Sequence, residues 1–484
     1  MASARITYWY LQAFWKKYKK IVLASVILGF FLVWLFPTMV QLVPSRREVK
    51  YIGRVGLYTF LELPKDIQEK MSVGLTGLNE QGQPIALLAQ RWTMEEEGKA
   101  FRFLLKDDLY WQDGRPFTAE DVNYNFTDVQ TVVTDNSILF RLQDAYAPFP
   151  TVVSQPLFRQ EQKTRFHFFR QNTVIGLGEY EVLNLKYQNA FVDELVLENS
   201  EERLIYRFYP SEQEAITAMR RGEVDSLEHL SSVQDFSQEE RDMYTVEEEV
   251  NLQQFVGVFF NTTDPFLSKE VRQALAYATH KPGPEDPRLR ALGPISPVSW
   301  AYNSTEEMNP FSFDMGQAIE LYREVNPQMP LELRLDSAVA FLPEAQKIEQ
   351  DWEELGQATM NDCETRSQSG DLSAEERALG CERFGIAVQT SVIQDLQDFQ
   401  AALIAREAPA DPDQYAWWHS TQAGNISRYQ NPRVDKLLED ARKETDQQRR
   451  KVLYFEFQRY LVEDAPVVFM YHLPEFSITR VNRM

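Results

Sequence analysis

Cysteine and histidine are scarce here, with two cysteines (Cys363, Cys381) and five histidines among 484 residues. His167, His229, His280, His419 and His472 show neither His-x-x-x-His nor His-Glu-x-x-His, the spacings that put two imidazoles on one helix face for a metal. No Gly-x-Ser-x-Gly elbow occurs, and Gly176-Leu-Gly178 has no following helix signal, so it is no phosphate loop. Acidic side chains number 72, so chance carboxylate pairs are certain and carry no weight as acid-base machinery. No catalytic residue, cofactor or metal is assigned, and an enzyme is not expected.

Long apolar runs are also rare, and residues 21–43 stand out as an uncharged run long enough to cross a hydrocarbon layer of about 30 Å. Lys16, Lys17, Lys19 and Lys20 precede it and favour a cytoplasmic N-terminus, although Arg46, Arg47 and Lys50 weaken the asymmetry. The run exceeds a usual signal-peptide core and no small-x-small site follows, which favours an uncleaved anchor over a cleaved leader. No cysteine lies near enough to the N-terminus for a lipid anchor. The expected layout is residues 1–20 as a cytoplasmic basic and aromatic segment, 21–43 as a single transmembrane helix, and the folded part outside the cell membrane, extracellular or periplasmic. Tyr8, Trp9, Tyr10, Phe14, Trp15 and Tyr18 suit the cytoplasmic interface.

The formal charge is −22, and +5 of it belongs to residues 1–43, leaving −27 on the exported part. Such a surface repels phosphate backbones, so no nucleic-acid partner is expected. The two cysteines flank Glu364 to Gly380, a polar stretch that reads as an inserted loop. In an oxidising compartment a bridge closing it would stabilise by about 3 kcal/mol, against the alternative of two unpaired thiols.

The richest local pattern runs from Gly82 to Phe126. Phe101, Phe103 and Leu105 alternate with charged residues as in a half-buried strand, and Asp113-Gly114 reads as a turn. Thr118 stands three residues before Asp121, the N-cap of a helix through Val122 and Phe126. Further along, Arg203–Tyr209 reads as a strand, Ser211-Glu-Gln-Glu214 as a box opening a helix that ends at Gly222, and Phe255–Phe260 as a buried strand. Ser268–Ala278 forms a helix with Val271, Ala274, Leu275 and Ala278 on its core face, while Arg272 points elsewhere. Gln447–Glu463 is a helix stopped by Pro466, and Val467–Tyr471 is a strand. No internal repeat is visible.

The order Pro84, Leu88-Ala89, Trp92, Phe103-Leu104-Leu105, Asp113-Gly114, Thr118-Ala119-Glu120-Asp121-Val122 resembles the signature of the family 5 solute-binding proteins of ABC importers, the peptide and nickel class. Asn261-Thr262 with Val271-Arg272 and Ala274-Leu275 resembles its second signature. Asp411-Pro-Asp413 with Trp417, Trp418, Asn425 and Tyr429 resembles its third. The resemblance implies a mixed α/β (α+β), two-lobed periplasmic-binding-protein-like fold with an extra small sub-domain. Lobe 1 would comprise 51–82, 175–260 and 464–484, the sub-domain 83–174, and lobe 2 261–463. It implies a monomeric receptor: a peptide or peptide-like solute is captured by lobe closure and handed to an ABC permease. A surface sensor or scavenger on the same scaffold is the alternative, and a hydrolase ranks below both.

Ligand contacts are expected at Ser72, Val73, Leu75 and Thr76, where the family's first cleft segment falls, and at Glu407, Tyr415, Trp417, Trp418, Gln422 and Asn425. There two indoles and several polar groups follow a tight turn, and at most one of the adjacent tryptophans can face the cleft if they lie on a strand. Peptide binders of the family place an acid three residues before the Asp-Pro turn. Counting back from Asp411 gives Ala408, with Glu407 beside it.

Overall fold

The computed structural model describes residues 9, 15–20, 47–165, 169–282, 290–304 and 311–481. The expected membrane helix, 21–43, lies outside these. Among the described residues no helix is long and apolar enough to cross a membrane.

The scaffold grows from a sheet of ten strands. On one side β1 (Glu48–Val55) begins the chain, and the small sheets of the next hundred residues are inserted after it. These are the pair β2 (Thr76–Leu78) and β3 (Pro84–Ala86), a four-stranded sheet of β4 (Ala89–Glu95), β5 (Ala100–Leu105), β6 (Gln130–Thr134) and β7 (Ser137–Arg141), and the hairpin β8 (Arg159–Arg165) and β9 (Phe169–Ile175). The chain then returns through β10 (Glu181–Gln188), β11 (Phe191–Glu198), β12 (Glu202–Tyr209), β13 (Ser226–Leu230) and the 17-residue β14 (Tyr244–Phe260). The far side holds β15 (Leu331–Ser337), β16 (Ile386–Val392), β17 (Ala401–Glu407) and β18 (Val467–Arg480). The order across the sheet is β10-β11-β12-β1-β13-β18-β14-β17-β15-β16.

Two strands therefore belong to both lobes. The first part of β14 pairs with the second half of β18, and its last part, Gln254–Phe260, pairs with β17 as well. Between these parts the register breaks: Asn251 faces Leu473, yet Phe255 faces His472, so residues 252–254 are extra. Extra residues bend and twist a strand, which makes this the passage between lobes.

Each lobe has its own core. In lobe 2 Phe259, Phe260, Leu275, Trp352, Leu403 and Phe457 are buried together. The inserted sub-domain centres on Phe101, Phe103, Phe140 and Phe149, with Phe101 stacked on Phe149 at 5.1 Å. Here β5 realises the alternation read in the sequence, with Phe101 and Phe103 fully enclosed. Gly114 turns the chain at φ +82. The expected helix after Thr118 is a single 3-10 turn, Ala119–Asp121, although the Thr118 N–H does donate to Asp121 Oδ2 at 2.8 Å. Val122 leaves helical geometry at ψ 106, and it and Phe126 join the aromatic core, so packing overrides the cap.

Two further readings are corrected. Arg272 is buried, donating to Leu267 O just ahead of its own helix and to the carbonyls of Asp464 and Ala465, which the end of helix Gln447–Asp464 leaves open. Cys363 and Cys381 are bonded at S–S 2.06 Å, but the stretch between them is not a loop. Helix Leu342–Ser369 continues through Cys363 and Ala374–Leu379 forms a second short helix, because Ile348, Trp352 and Leu355 anchor the long helix in the core.

Candidate functional site

The lobes touch opposite their shared strands. Trp300 N–H donates to Gln81 O at 3.2 Å and Ala147 N–H to Arg442 O at 2.7 Å, joining lobe 2 to lobe 1 and its sub-domain. Gly82 packs so closely that a Cβ there would stand 2.5 Å from Ala410 O, and its φ of +74 already favours glycine. Tyr146 hydroxyl donates to Asp413 Oδ2 at 3.3 Å and Thr151 hydroxyl to Asp411 Oδ2 at 3.4 Å. A cavity of about 650 Å³ lies along this seam, with Leu142 and Tyr146 on one wall and Tyr415, Glu439 and Arg442 on the other. The lobes are thus in contact along this seam.

The lobe 2 side of the seam is built by the segment after β17. Ala408 N–H donates to Gln253 O at 2.6 Å, tying it to the extra residues of β14. Asp411 then accepts from its own Asp413 N–H at 2.9 Å, and Asp413 from Tyr415 N–H at 3.1 Å, two successive side-chain turns. Asp411 is held by the buried Arg450, and Asp413 by Arg442 at 2.9 Å. Burial still pushes the Asp413 carboxyl above its usual range, against the pull of Arg442. Arg442 also covers the rings of Tyr146 and Tyr415, with centroids at 4.9 and 4.2 Å.

A family model described as "Bacterial extracellular solute-binding proteins, family 5 Middle" matches residues 83–360. The chain belongs to that family. It is 22% identical over 428 residues to the probable D,D-dipeptide-binding periplasmic protein DdpA of Escherichia coli K12, covering 79% of this chain and 78% of that one. It is 21% identical over 494 residues to the oligopeptide-binding protein AppA of Bacillus subtilis, covering 87% and 85%. Among solved structures, NikZ of Campylobacter jejuni in complex with Ni(L-His) superposes with TM-score 0.67 at 18% identity, covering 90% of this chain and 95% of that one. AppA of Bacillus subtilis in complex with a nonapeptide superposes at 0.62 and 17% identity, covering 90% and 96%. These likenesses establish the two-lobed fold.

In this family 5 protein the sequence-selected residues fall into two sets. Ser72, Leu75 and Thr76 are wholly buried at the root of the sub-domain. Ser72 hydroxyl donates to Leu157 O and accepts from Leu177 N–H, and Thr76 hydroxyl donates to Pro150 O, so their polar groups are used internally. Val73 is half-buried against the sub-domain core. Asn425 is also buried, bonding Tyr429 through both its amide and its oxygen. In the second set Tyr415 lines the seam cavity, Glu407 is exposed, and Trp417 and Gln422 are half-buried. Trp417 and Trp418 occupy a short helix, Tyr415–Trp418, rather than a strand. Trp418 is 2% exposed and stacks on Phe259 at 6.2 Å, whereas Trp417 lies beneath the guanidinium of Arg406.

Sequence reasoning did not select Arg406, Tyr146, Arg442 or Arg450. Only Asp411-Pro-Asp413 signalled that partners must exist, because two acids in a tight apolar turn need cations once buried. Among the described residues one cluster has metal-like spacing: Asp66, Glu228 and His229 offer ligand atoms within 4.8 Å of one another. Arg54 already supplies the positive charge there, pairing with Asp66 at 2.8 Å and Glu228 at 3.0 Å.

Proposed function

We propose that this chain is a membrane-anchored, extracytoplasmic receptor that captures a peptide or peptide-like solute by closing its two lobes and delivers it to an ABC permease. The observation that carries the reading is the contact seam opposite two continuous strands. Such an arrangement opens and shuts by bending at residues 252–254, and closure hides a guest between the lobes. The names of DdpA and AppA support a peptide-like guest. Residues 21–43 support the anchor, with the N-terminus in the cytoplasm and the folded part outside.

Binding, not turnover, is the proposed activity, by a single chain. Tyr415 and Trp417 would wall the guest, and Glu407 and Gln422 would offer it polar contacts. Ser72, Val73, Leu75, Thr76, Trp418 and Asn425 act by holding those walls in place. A ligand shifts the lobe equilibrium only by preferring the closed form, so binding and compaction should rise together. Isothermal calorimetry of the detergent-solubilised chain against a library of short peptides tests the class. Saturable heat with some members is expected, and no heat with any would overturn the peptide assignment.

A further inference from the structure

Strands β1, β13 and β18 lie side by side in lobe 1, and charged and titratable side chains converge there. Arg54 on β1 and Glu228 on β13 are register partners, so both leave the sheet on one face. His229 follows Glu228 at φ +57, where the pairing of β13 with β18 is irregular, and this break in strand geometry lets its ring share that side. Asp66 comes from the helix Lys65–Met71 after β1, and Glu475 stands on β18. Asp66, Glu228 and His229 each offer a ligand atom within 4.8 Å of the other two. Their side chains are 44%, 30% and 49% exposed, so an ion can reach them from solvent.

Among the described residues Arg54 is the one cation paired with either carboxylate, through Nη2 to Asp66 Oδ1 at 2.8 Å and Nη1 to Glu228 Oε2 at 3.0 Å. The second oxygen of each, Asp66 Oδ2 and Glu228 Oε1, makes no hydrogen bond among those residues. Glu475 adds a third negative charge beside His229 Nδ1. With the imidazole neutral, three carboxylates against one guanidinium leave two negative charges in excess, which a divalent ion cancels and Arg54 alone does not. The imidazole is also oriented in advance. A carboxylate at Nδ1 holds the proton on that nitrogen and leaves Nε2 as an open lone pair, the arrangement that fixes metal-bound histidines. Asn251 Nδ2 donates to the other Glu475 oxygen at 2.7 Å and fixes that carboxylate in turn.

We propose that Asp66, Glu228 and His229 bind a divalent ion of the zinc class, with Glu475 and Asn251 orienting the imidazole. Carboxylate oxygens with an imidazole nitrogen suit zinc, cobalt or nickel, whereas calcium and magnesium prefer oxygen ligands alone. Three protein ligands leave a coordination position for water. Arg54 keeps the oxygens it already holds, and the ion takes the free ones. The site shares no residue with the seam cavity and does not depend on what the lobes enclose. Its support, Asn251, is the last residue of β14 before the register with β18 breaks, so the ion would brace the lobe 1 end of the interlobe passage.

The test titrates zinc chloride into the full chain, stripped beforehand with a chelator, by calorimetry. His229→Gln, Asp66→Asn and Glu475→Gln are run beside wild type, with His280→Gln as the control, since His280 also faces a carboxylate, Asp351, outside the cluster. One ion per chain is expected in wild type and in His280→Gln. Glu475→Gln should weaken binding about ten- to a hundredfold, as loss of an orienting group does, and removal of a ligand in His229→Gln or Asp66→Asn should weaken it more. Saturating zinc should also raise the unfolding midpoint of wild type and leave that of His229→Gln where it was, which shows in the same scan that the variant folds. Should His229→Gln not fold, the half-exposed Asp66→Asn carries the comparison. No heat in wild type, or equal affinity in wild type and the ligand variants, would overturn the site. Calcium displacing zinc at equal concentration would overturn the class of ion.

Discussion

Arg450 and Asp411 illustrate what a single residue can decide. Both are more than nine-tenths buried, and Asp411 also receives Thr151 from across the seam. Asp411→Ala leaves Arg450 charged and unpaired, so chemical denaturation should report a loss of about 3–5 kcal/mol. Two histidines should respond to pH with opposite signs. His472 sits beside the interlobe passage, bonded to Gln254 O at 3.0 Å, and burial holds it below the usual 6.5. As pH falls through that value the unfolded chain takes a proton the folded one refuses, so stability drops on acidification, and His472→Gln should flatten this part of the curve. His229 is raised, chiefly by its bond to Glu475 and against its burial. Its contribution is complete below 6.5 and is lost as pH rises through the folded value, and His229→Gln should remove that decline in urea titrations between pH 5 and 9. None of these roles was legible in the sequence. An arginine reads alike whether it is solvated or buried, and the partners of Arg450 and His229 lie 39 and 246 residues away.

At the scale of elements the sequence was clearer where patterning was local. Ser268 and Ser211 do cap their helices, accepting from Val271 N–H and Glu214 N–H at 3.3 Å each. The helix expected after Thr118 failed because Val122 and Phe126 were worth more in the aromatic core than in a further turn. The bonded cysteines were anticipated, but not the helices they join, since polar surface residues hide the apolar stripe that ends near Cys363. Replacing both cysteines with serine should cost about 3 kcal/mol for a loop of this size, read as a lower unfolding midpoint in calorimetry. Gly82 gives a prediction on closure. Gly82→Val places a side chain against Ala410 O at a backbone angle unsuited to it, so the lobes should sit further apart in small-angle scattering and bind the guest more weakly.

For the whole molecule, the two-lobed architecture was legible because three separated signatures each mark a local unit, and the family match at 83–360 confirms the family they point to. The sharing of β14 and β18 between lobes was not, because a strand running through two lobes carries no composition change where it passes. The contacts across the seam tie this architecture to the proposed function, in which a guest would lie between the lobes behind Gly82, Tyr146 and Asp413. Native mass spectrometry of the intact chain, purified in detergent without added ligand, tests that claim most directly. The expected result is a bound species whose fragmentation shows amide-linked residues. A bound sugar or other guest without amide bonds would contradict it.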